Sequence, residues 1–194
     1  ALIRLVRDDI GYGLYYKYNR LYRDMNRMLS EVRDYQALHN SVQSLVKKEK
    51  NPEVLDFYSE FGRQLEKLRN EVLWRLTEDP APIYSLHSVA RKSRDELSQL
   101  PFQANDFSLI NQGLIRIHKK WKRAFAICLK SPAEETLHEL RKRSKYLMHS
   151  MELLQPVFPE IVKGYAGTLD AISTYLGDYR DLYLLTTRIS LLLE

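Results

Sequence analysis

Apolar residues along this chain recur three and four positions apart, the spacing that gathers them on one side of an α-helix. No segment reads as strand-and-turn alternation; seven glycines and seven prolines punctuate long helical periodicities instead. The opening Ala1-Leu2-Ile3-Arg4-Leu5-Val6 already follows the pattern, and this first short helix is expected to end near Ile10, where Gly11-Tyr12-Gly13 breaks it. A long helix follows from about Tyr15 to Lys48, with Leu21, Met25, Met28, Leu29 and Val32 on its apolar side. Asn51-Pro52-Glu53 restarts the chain with a cap residue and a proline at the first helical position. That third helix carries Val54, Leu55, Tyr58, Leu65, Leu68, Val72 and Leu76 and stops before Pro80-Ala81-Pro82. A more polar fourth helix covers Ile83 to about Gln99, and Leu100-Pro101 ends it. Asp106 is placed to cap a fifth that runs to about Leu129. Ser131-Pro132-Ala133-Glu134 reads as a capping box that opens the sixth helix, which stops at Gln155-Pro156. The last helix spans roughly Lys163 to Leu193, with Gly164, Gly167 and Gly177 as points of close packing. The fold expected is all-α, a bundle of long antiparallel helices.

Composition narrows the class. At 194 residues, with 44% hydrophobic and 28% charged positions, the chain has the make-up of a globular protein. No apolar run approaches the roughly 18 residues that a membrane span requires. A single cysteine, Cys128, excludes an internal disulfide; it sits on an apolar helix face as a core filler and fits a reducing, cytoplasmic setting.

Charge changes the picture more. Between Phe107 and Met151 there are ten Lys and Arg against Glu134, Glu135 and Glu139, a local +7, whereas the whole chain carries +5 and the remainder therefore −2. On the sixth helix Leu137, Leu140, Ser144, Leu147, Met148, Met151 and Leu154 form an apolar seam, while His138, Arg141, Lys142, Lys145 and His149 form a stripe facing away from it. On the fifth, Leu114, Ile117, Trp121, Ala124, Phe125 and Cys128 make the seam and Arg116, Lys119, Lys120 and Arg123 the basic side. Arg20, Arg23 and Arg27 make a shorter stripe. Solvated helix faces usually mix signs to gain small ion-pair energies, so unmixed stripes point to a polyanion. Three such stripes are expected to converge on one groove. The first turn of the sixth helix, with His138, could also offer backbone N–H groups to a phosphate.

The chain carries an internal echo. Leu29-Ser30-Glu31-Val32-Arg33-Asp34-Tyr35-Gln36-Ala37-Leu38 aligns with Leu176-Gly177-Asp178-Tyr179-Arg180-Asp181-Leu182-Tyr183-Leu184-Leu185, which fits two related helical halves, 1–100 and 101–194. At that offset the counterpart of the His138 segment falls before Ala1, so the first half is expected to lack its N-terminal start. His138-x-x-Arg141-Lys142-x-x-Lys145, the later Leu176-Gly177-Asp178-Tyr179-Arg180-Asp181-Leu182 and the earlier Gly113-Leu114-x-Arg116-x-His118-Lys119-Lys120-x-Lys122-Arg123-Ala124 together resemble the CHAD domain, the conserved-histidine α-helical domain. Arg23-Asp24-x-x-Arg27-x-Leu29-Ser30-x-x-Arg33-Asp34 resembles the matching part of its first half, and the likeness covers nearly the whole chain. The second half has Asp170 and Thr174 where the first has Arg23 and Arg27. The resemblance implies two pseudo-symmetric bundles around a basic groove that binds inorganic polyphosphate, and an association with polyphosphate granules. With Arg4 from the opening segment, the expected ligand set is Arg4, Arg20, Arg23, Arg27, Arg116, Lys119, Lys120, Arg123, His138, Arg141, Lys142 and Lys145.

Other chemistry finds little footing. His39, His87, His118, His138 and His149 are scattered, without a metal-ligand pair or an HExxH motif, so no metal and no cofactor is expected. No phosphate-binding glycine loop, nucleophile elbow or separated carboxylate pair is present, and the expectation is a binding module, not an enzyme. Arg33-Asp34 and Arg180-Asp181 are read as interhelical salt bridges, and the thirteen tyrosines mostly as bundle filling and interface rim. Three alternatives stay open: a nucleic-acid-binding helical domain that stacks bases on tyrosines, a helical scaffold for a protein partner, and a phosphate-chain hydrolase, against which the lack of an acidic metal-binding cluster in the sequence argues.

Overall fold

The computed structural model describes residues 2–79, 81–100 and 102–193. Among these residues there are eight helices and no strand: α1 (Leu2–Leu5), α2 (Arg7–Met28), α3 (Ser30–Val46), α4 (Pro52–Glu78), α5 (Ala81–Ser98), α6 (Ser108–Lys130), α7 (Glu134–Glu152) and α8 (Pro159–Leu193). The all-α expectation holds.

Most boundaries follow local chemistry. Gly11 takes φ 80°, a conformation that favours glycine, and bends α2 where the sequence predicts a break. The Asn51 side chain accepts the Glu53 N–H at 3.0 Å, and Pro52 opens α4. Asp79 accepts the Ala81 N–H at 3.1 Å, which starts α5 two residues before the expected Ile83. Asp106 accepts the Ser108 N–H at 2.8 Å at the entrance to α6. Pro159 opens α8 four residues before the expected Lys163, since proline at that position has no N–H to leave unpaired.

Two expectations need correction. The helix predicted from Tyr15 to Lys48 is interrupted at Leu29, with φ −103° and ψ 1°. The Asn26 amide donates to the Tyr22 carbonyl at 2.7 Å and the Ser30 hydroxyl to the Arg27 carbonyl at 2.8 Å. Such side chains compete with the helical ladder for its own carbonyls, and apolar spacing does not report that competition. The capping box predicted at Ser131 also does not form: the N-cap falls two residues later, at Ala133, whose side chain has no acceptor. Ser131 and Pro132 precede α7, and the Thr136 hydroxyl accepts the Ala133 N–H at 2.9 Å while lying 2.8 Å from the Ser131 carbonyl.

The chain divides into two compact units: Ala1–Asn19 with Leu100–Arg180, and Arg20–Gln99 with Asp181–Glu194. In the second, α3 packs on α4, and Leu38, Val42, Phe61, Leu65 and Leu185 are buried together. Leu38 and Leu185, the last residues of the internal echo, thus share one core. In the first unit α1, α6, α7 and the start of α8 bury Leu5, Ile117, Leu147, Met148 and Leu169. A second cluster, Ala124, Cys128 and Leu140, continues between α6 and α7. The buried Ser144 accepts the Trp121 indole N–H at 3.0 Å, which pairs these two polar groups between α6 and α7.

Glycine marks the tightest packing. A Cβ on Gly113 of α6 would collide with the Leu5 carbonyl oxygen and lie 2.5 Å from the Leu5 Cα, so α1 rests directly on the α6 backbone. Gly164 and Gly167, expected as close-packing points, have nothing within 4 Å of that position; Gly177 alone of the three is packed, with the Arg141 Nε 3.1 Å away. Gly113→Ala should therefore force α1 away and destabilise the protein by more than about 1 kcal/mol, despite alanine's better helix propensity. Gly164→Ala, with open space around it, should stabilise by about 0.5–1 kcal/mol. Chemical denaturation of the two variants checks the pair of opposite signs.

Candidate anion-binding site

The seating of α1 on α6 brings together cations that lie far apart in sequence. Arg4 from α1, Arg7 at the start of α2, Arg116 and Lys120 one turn apart on α6, and Arg143 on α7 line one cavity with Tyr15, Tyr146 and Ile117. Its enclosed volume is about 20 Å³, room for about one water. Beyond the Gly11 bend, Tyr15 returns to receive a hydrogen bond from Arg4 Nη1 at 2.9 Å. Arg4 also donates to Asn19 at 2.9 Å and lies over the Tyr146 ring, 4.4 Å from its centre. Arg116 donates from Nη2 to the Arg4 carbonyl at 2.7 Å, satisfying an oxygen in the last turn of α1.

The electrostatics are strained toward positive charge. Burial, and then repulsion from Arg143, Arg7, Arg116 and Arg4, holds the Lys120 ammonium below the usual lysine range. Two carboxylates relieve part of this. Asp8 bridges Arg7, at 3.1 Å, and Arg116. Burial works to raise its pKa, but the hydrogen bonds from Arg116 and Arg7 outweigh that and hold the carboxyl below its usual range. Glu139 pairs with Arg143 at 2.7 Å and with Lys142. Five cations around one small cavity are thus met by two acids.

Of the residues expected at a site, Arg4, Arg116 and Lys120 meet here. Arg7 and Arg143 join them without having been singled out in the sequence. Arg123 is exposed on α6. Lys119 turns with His118 to the rim of a separate cleft of about 560 Å³, lined by apolar residues of α6, α7 and α8 such as Leu114, Leu147 and Ile161. Arg20, Arg23 and Arg27 belong to the second unit, where they gather about Asp24 at 3.6, 3.5 and 3.8 Å. Their stripe is therefore mixed in sign once the side chains are placed.

His138, Arg141, Lys142 and Lys145 lie along α7, but not as one row of free cations. Lys142 is paired with Glu139, and Lys145 is half-buried. Arg141 packs on Gly177 of α8, and its buried Nε has no hydrogen-bond partner. His138 is the fifth residue of α7, past the free N–H groups of the first turn, so backbone N–H groups do not join it in an anion site. Its Nδ1 lies 2.6 Å from the Arg180 Nη1 and accepts that hydrogen bond in the neutral ring. Arg180 is therefore committed to a histidine. Arg33 meets its neighbour Asp34 at 3.5 Å with both exposed, which corrects the interhelical reading of that pair. Tyr18 is buried and Tyr15, Tyr22, Tyr35, Tyr58, Tyr146 and Tyr165 are half-buried, whereas Tyr12, Tyr16, Tyr84, Tyr175, Tyr179 and Tyr183 are exposed.

The all-α fold agrees with the family comparison. The CHAD domain family model matches residues 1–190, and the chain belongs to that family. CHAD domains are associated with polyphosphate-related proteins. No curated protein and no solved structure matches the chain. Among the described residues no helix is long and apolar enough to cross a membrane.

The His138 geometry gives a pH dependence. Burial, followed by Arg180 and Lys142, lowers its pKa below the ordinary 6.5, with Glu134 opposing. A depressed folded-state pKa means that the unfolded chain binds the proton more readily. The stabilising contribution is therefore fully present above about pH 6.5 and is lost as pH falls through the folded-state value. Thermal unfolding between pH 8 and 5 should show a decline that His138→Gln reduces.

Proposed function

We propose that this CHAD domain binds inorganic polyphosphate, without cleaving it, through the cavity lined by Arg4, Arg7, Arg116, Lys120 and Arg143. The observation that carries the reading is the convergence of Lys120 and four arginines from α1, α2, α6 and α7 on one cavity. An anion entering there is attracted by every group that now repels another. Arginine forks suit pairs of phosphate oxygens, and lysine supplies a mobile point charge. The lining offers no free base for hydrolysis: the nearest carboxylate, Asp8, is held ionised between two arginines.

Asp8 is also a competitor, because its carboxylate occupies the arginine donors that a phosphate needs. Each charge-assisted hydrogen bond contributes about 1.5–3 kcal/mol, and about 1.4 kcal/mol is a factor of ten in affinity. Calorimetric titration with long-chain polyphosphate should give a dissociation constant that rises steeply with salt. Lys120→Gln should weaken binding about tenfold while leaving the melting temperature unchanged or higher, since it removes repulsion. Unaltered affinity in that variant would remove the cavity as the site.

Asp8→Asn should act in the opposite direction and strengthen polyphosphate binding, at some loss of stability from the broken ion pairs. Weaker binding in a folded Asp8→Asn protein would contradict the competition. Incubation with polyphosphate and magnesium should release no orthophosphate above background. Protein-dependent release lost on changing one carboxylate would establish catalysis instead.

A further inference from the structure

Beside the cation cavity, α2 carries exposed aromatic rings. Tyr12 and Tyr16 are 57% and 62% exposed, although an α-helix offers charged residues more cheaply for a solvated face. They sit one turn apart just beyond the Gly11 bend, with ring centres 6.1 Å from each other. Tyr16 also meets Tyr15 edge-on at 5.4 Å, and Tyr15 is itself part of the cavity wall. Arg7 joins the two features: its guanidinium lines the cavity and lies over the Tyr12 ring, 4.7 Å from the centre. One arginine thus links the cation cavity to the face of an exposed aromatic ring.

We infer that this site takes a nucleoside polyphosphate, with the phosphate chain among Arg4, Arg7, Arg116, Lys120 and Arg143 and the base against Tyr12 and Tyr16. The inference rests on the anion-binding reading above and adds to it the class of ligand. Aromatic side chains stack any base, because every base has a π-face, and a neighbouring arginine reinforces the contact. A single-stranded nucleic acid has the same bases but spreads one charge over each phosphodiester. Five cations concentrated at one small cavity match the neighbouring charged phosphorus centres of a triphosphate better than that dilute chain.

The test compares ATP with inorganic tripolyphosphate on the whole protein at one salt concentration, without magnesium. Tripolyphosphate carries at least as much charge as ATP, so charge alone makes it the tighter ligand. The expected result is the reverse, with ATP about tenfold tighter. Replacing both rings (Tyr12→Leu with Tyr16→Leu) should bring ATP to the tripolyphosphate level and leave tripolyphosphate unchanged. ATP binding no tighter than tripolyphosphate, or an ATP advantage that survives the double replacement, would overturn the inference while leaving polyphosphate binding standing. If neither ligand binds, the anion-binding reading itself falls and takes this inference with it. A short single-stranded oligonucleotide that binds tighter than ATP would assign the tyrosines to nucleic acid.

Discussion

The close approach of α1 to Gly113 governs the first unit. A four-residue helix has too few internal hydrogen bonds to persist alone, so α1 depends on what it touches. It buries Leu5 among Ile117, Leu147, Met148 and Leu169, and its Arg4 carbonyl is taken by Arg116. With the Leu5 backbone directly on α6, the side chains that flank Leu5 have little choice of position. Arg4 points along Tyr146 and Tyr15, and Arg7 falls beside Arg116 with Asp8 between them. The same contact therefore stabilises the unit and assembles the cations. Loss of α1 would remove Arg4 outright and release the start of α2, which carries Arg7, Asp8 and the Tyr12–Tyr16 rings.

Helices were legible in the sequence because each leaves a periodic seam, and the buried Ile117, Ala124, Cys128, Leu140 and Leu147 are residues those seams contain. Caps with a distinctive side chain, such as Asn51 and Asp106, were legible for the same local reason. The break at Leu29 was not, since it comes from side chains bonding to nearby carbonyls inside an otherwise acceptable pattern. Gly113 was visible as part of a family motif, but its closeness to α1 is a tertiary fact.

The clustering of cations was legible in kind more than in place. Periodicity assigned α7 one buried side and one basic side, but this helix has neighbours on more than one flank. Arg141 packs on α8 at Gly177, whereas Arg143, two residues later and thus about 200° around the helix, lines the cavity with α1 and α6. A single apolar seam cannot report two flanks. The missed signals were short: Arg7 three residues after Arg4, across the break between α1 and α2, and Arg143 three before Tyr146, a spacing that aligns side chains on one helix face. Charge counting likewise treated Arg20, Arg23 and Arg27 as a stripe, although Asp24 sits among them.

An arrangement of five cations needs an explanation for its own stability, and Asp8 provides one. The carboxylate is supplied by the residue next to Arg7, so it enters the cluster whenever α1 docks. Held ionised between Arg7 and Arg116, it lowers the repulsion that Lys120 still feels from four guanidinium groups. The enclosed space left over fits about one water. A ligand therefore cannot simply fill a void; it must take the place of Asp8 at the arginines. A singly charged anion would exchange one charge for another and gain almost nothing. An anion with several adjacent charges replaces Asp8 and in addition meets Lys120 and Arg143, so its advantage grows with local charge density. Under the proposed function, selectivity for condensed phosphates over simple anions would follow from this internal competitor and would not require a preformed cavity of their shape.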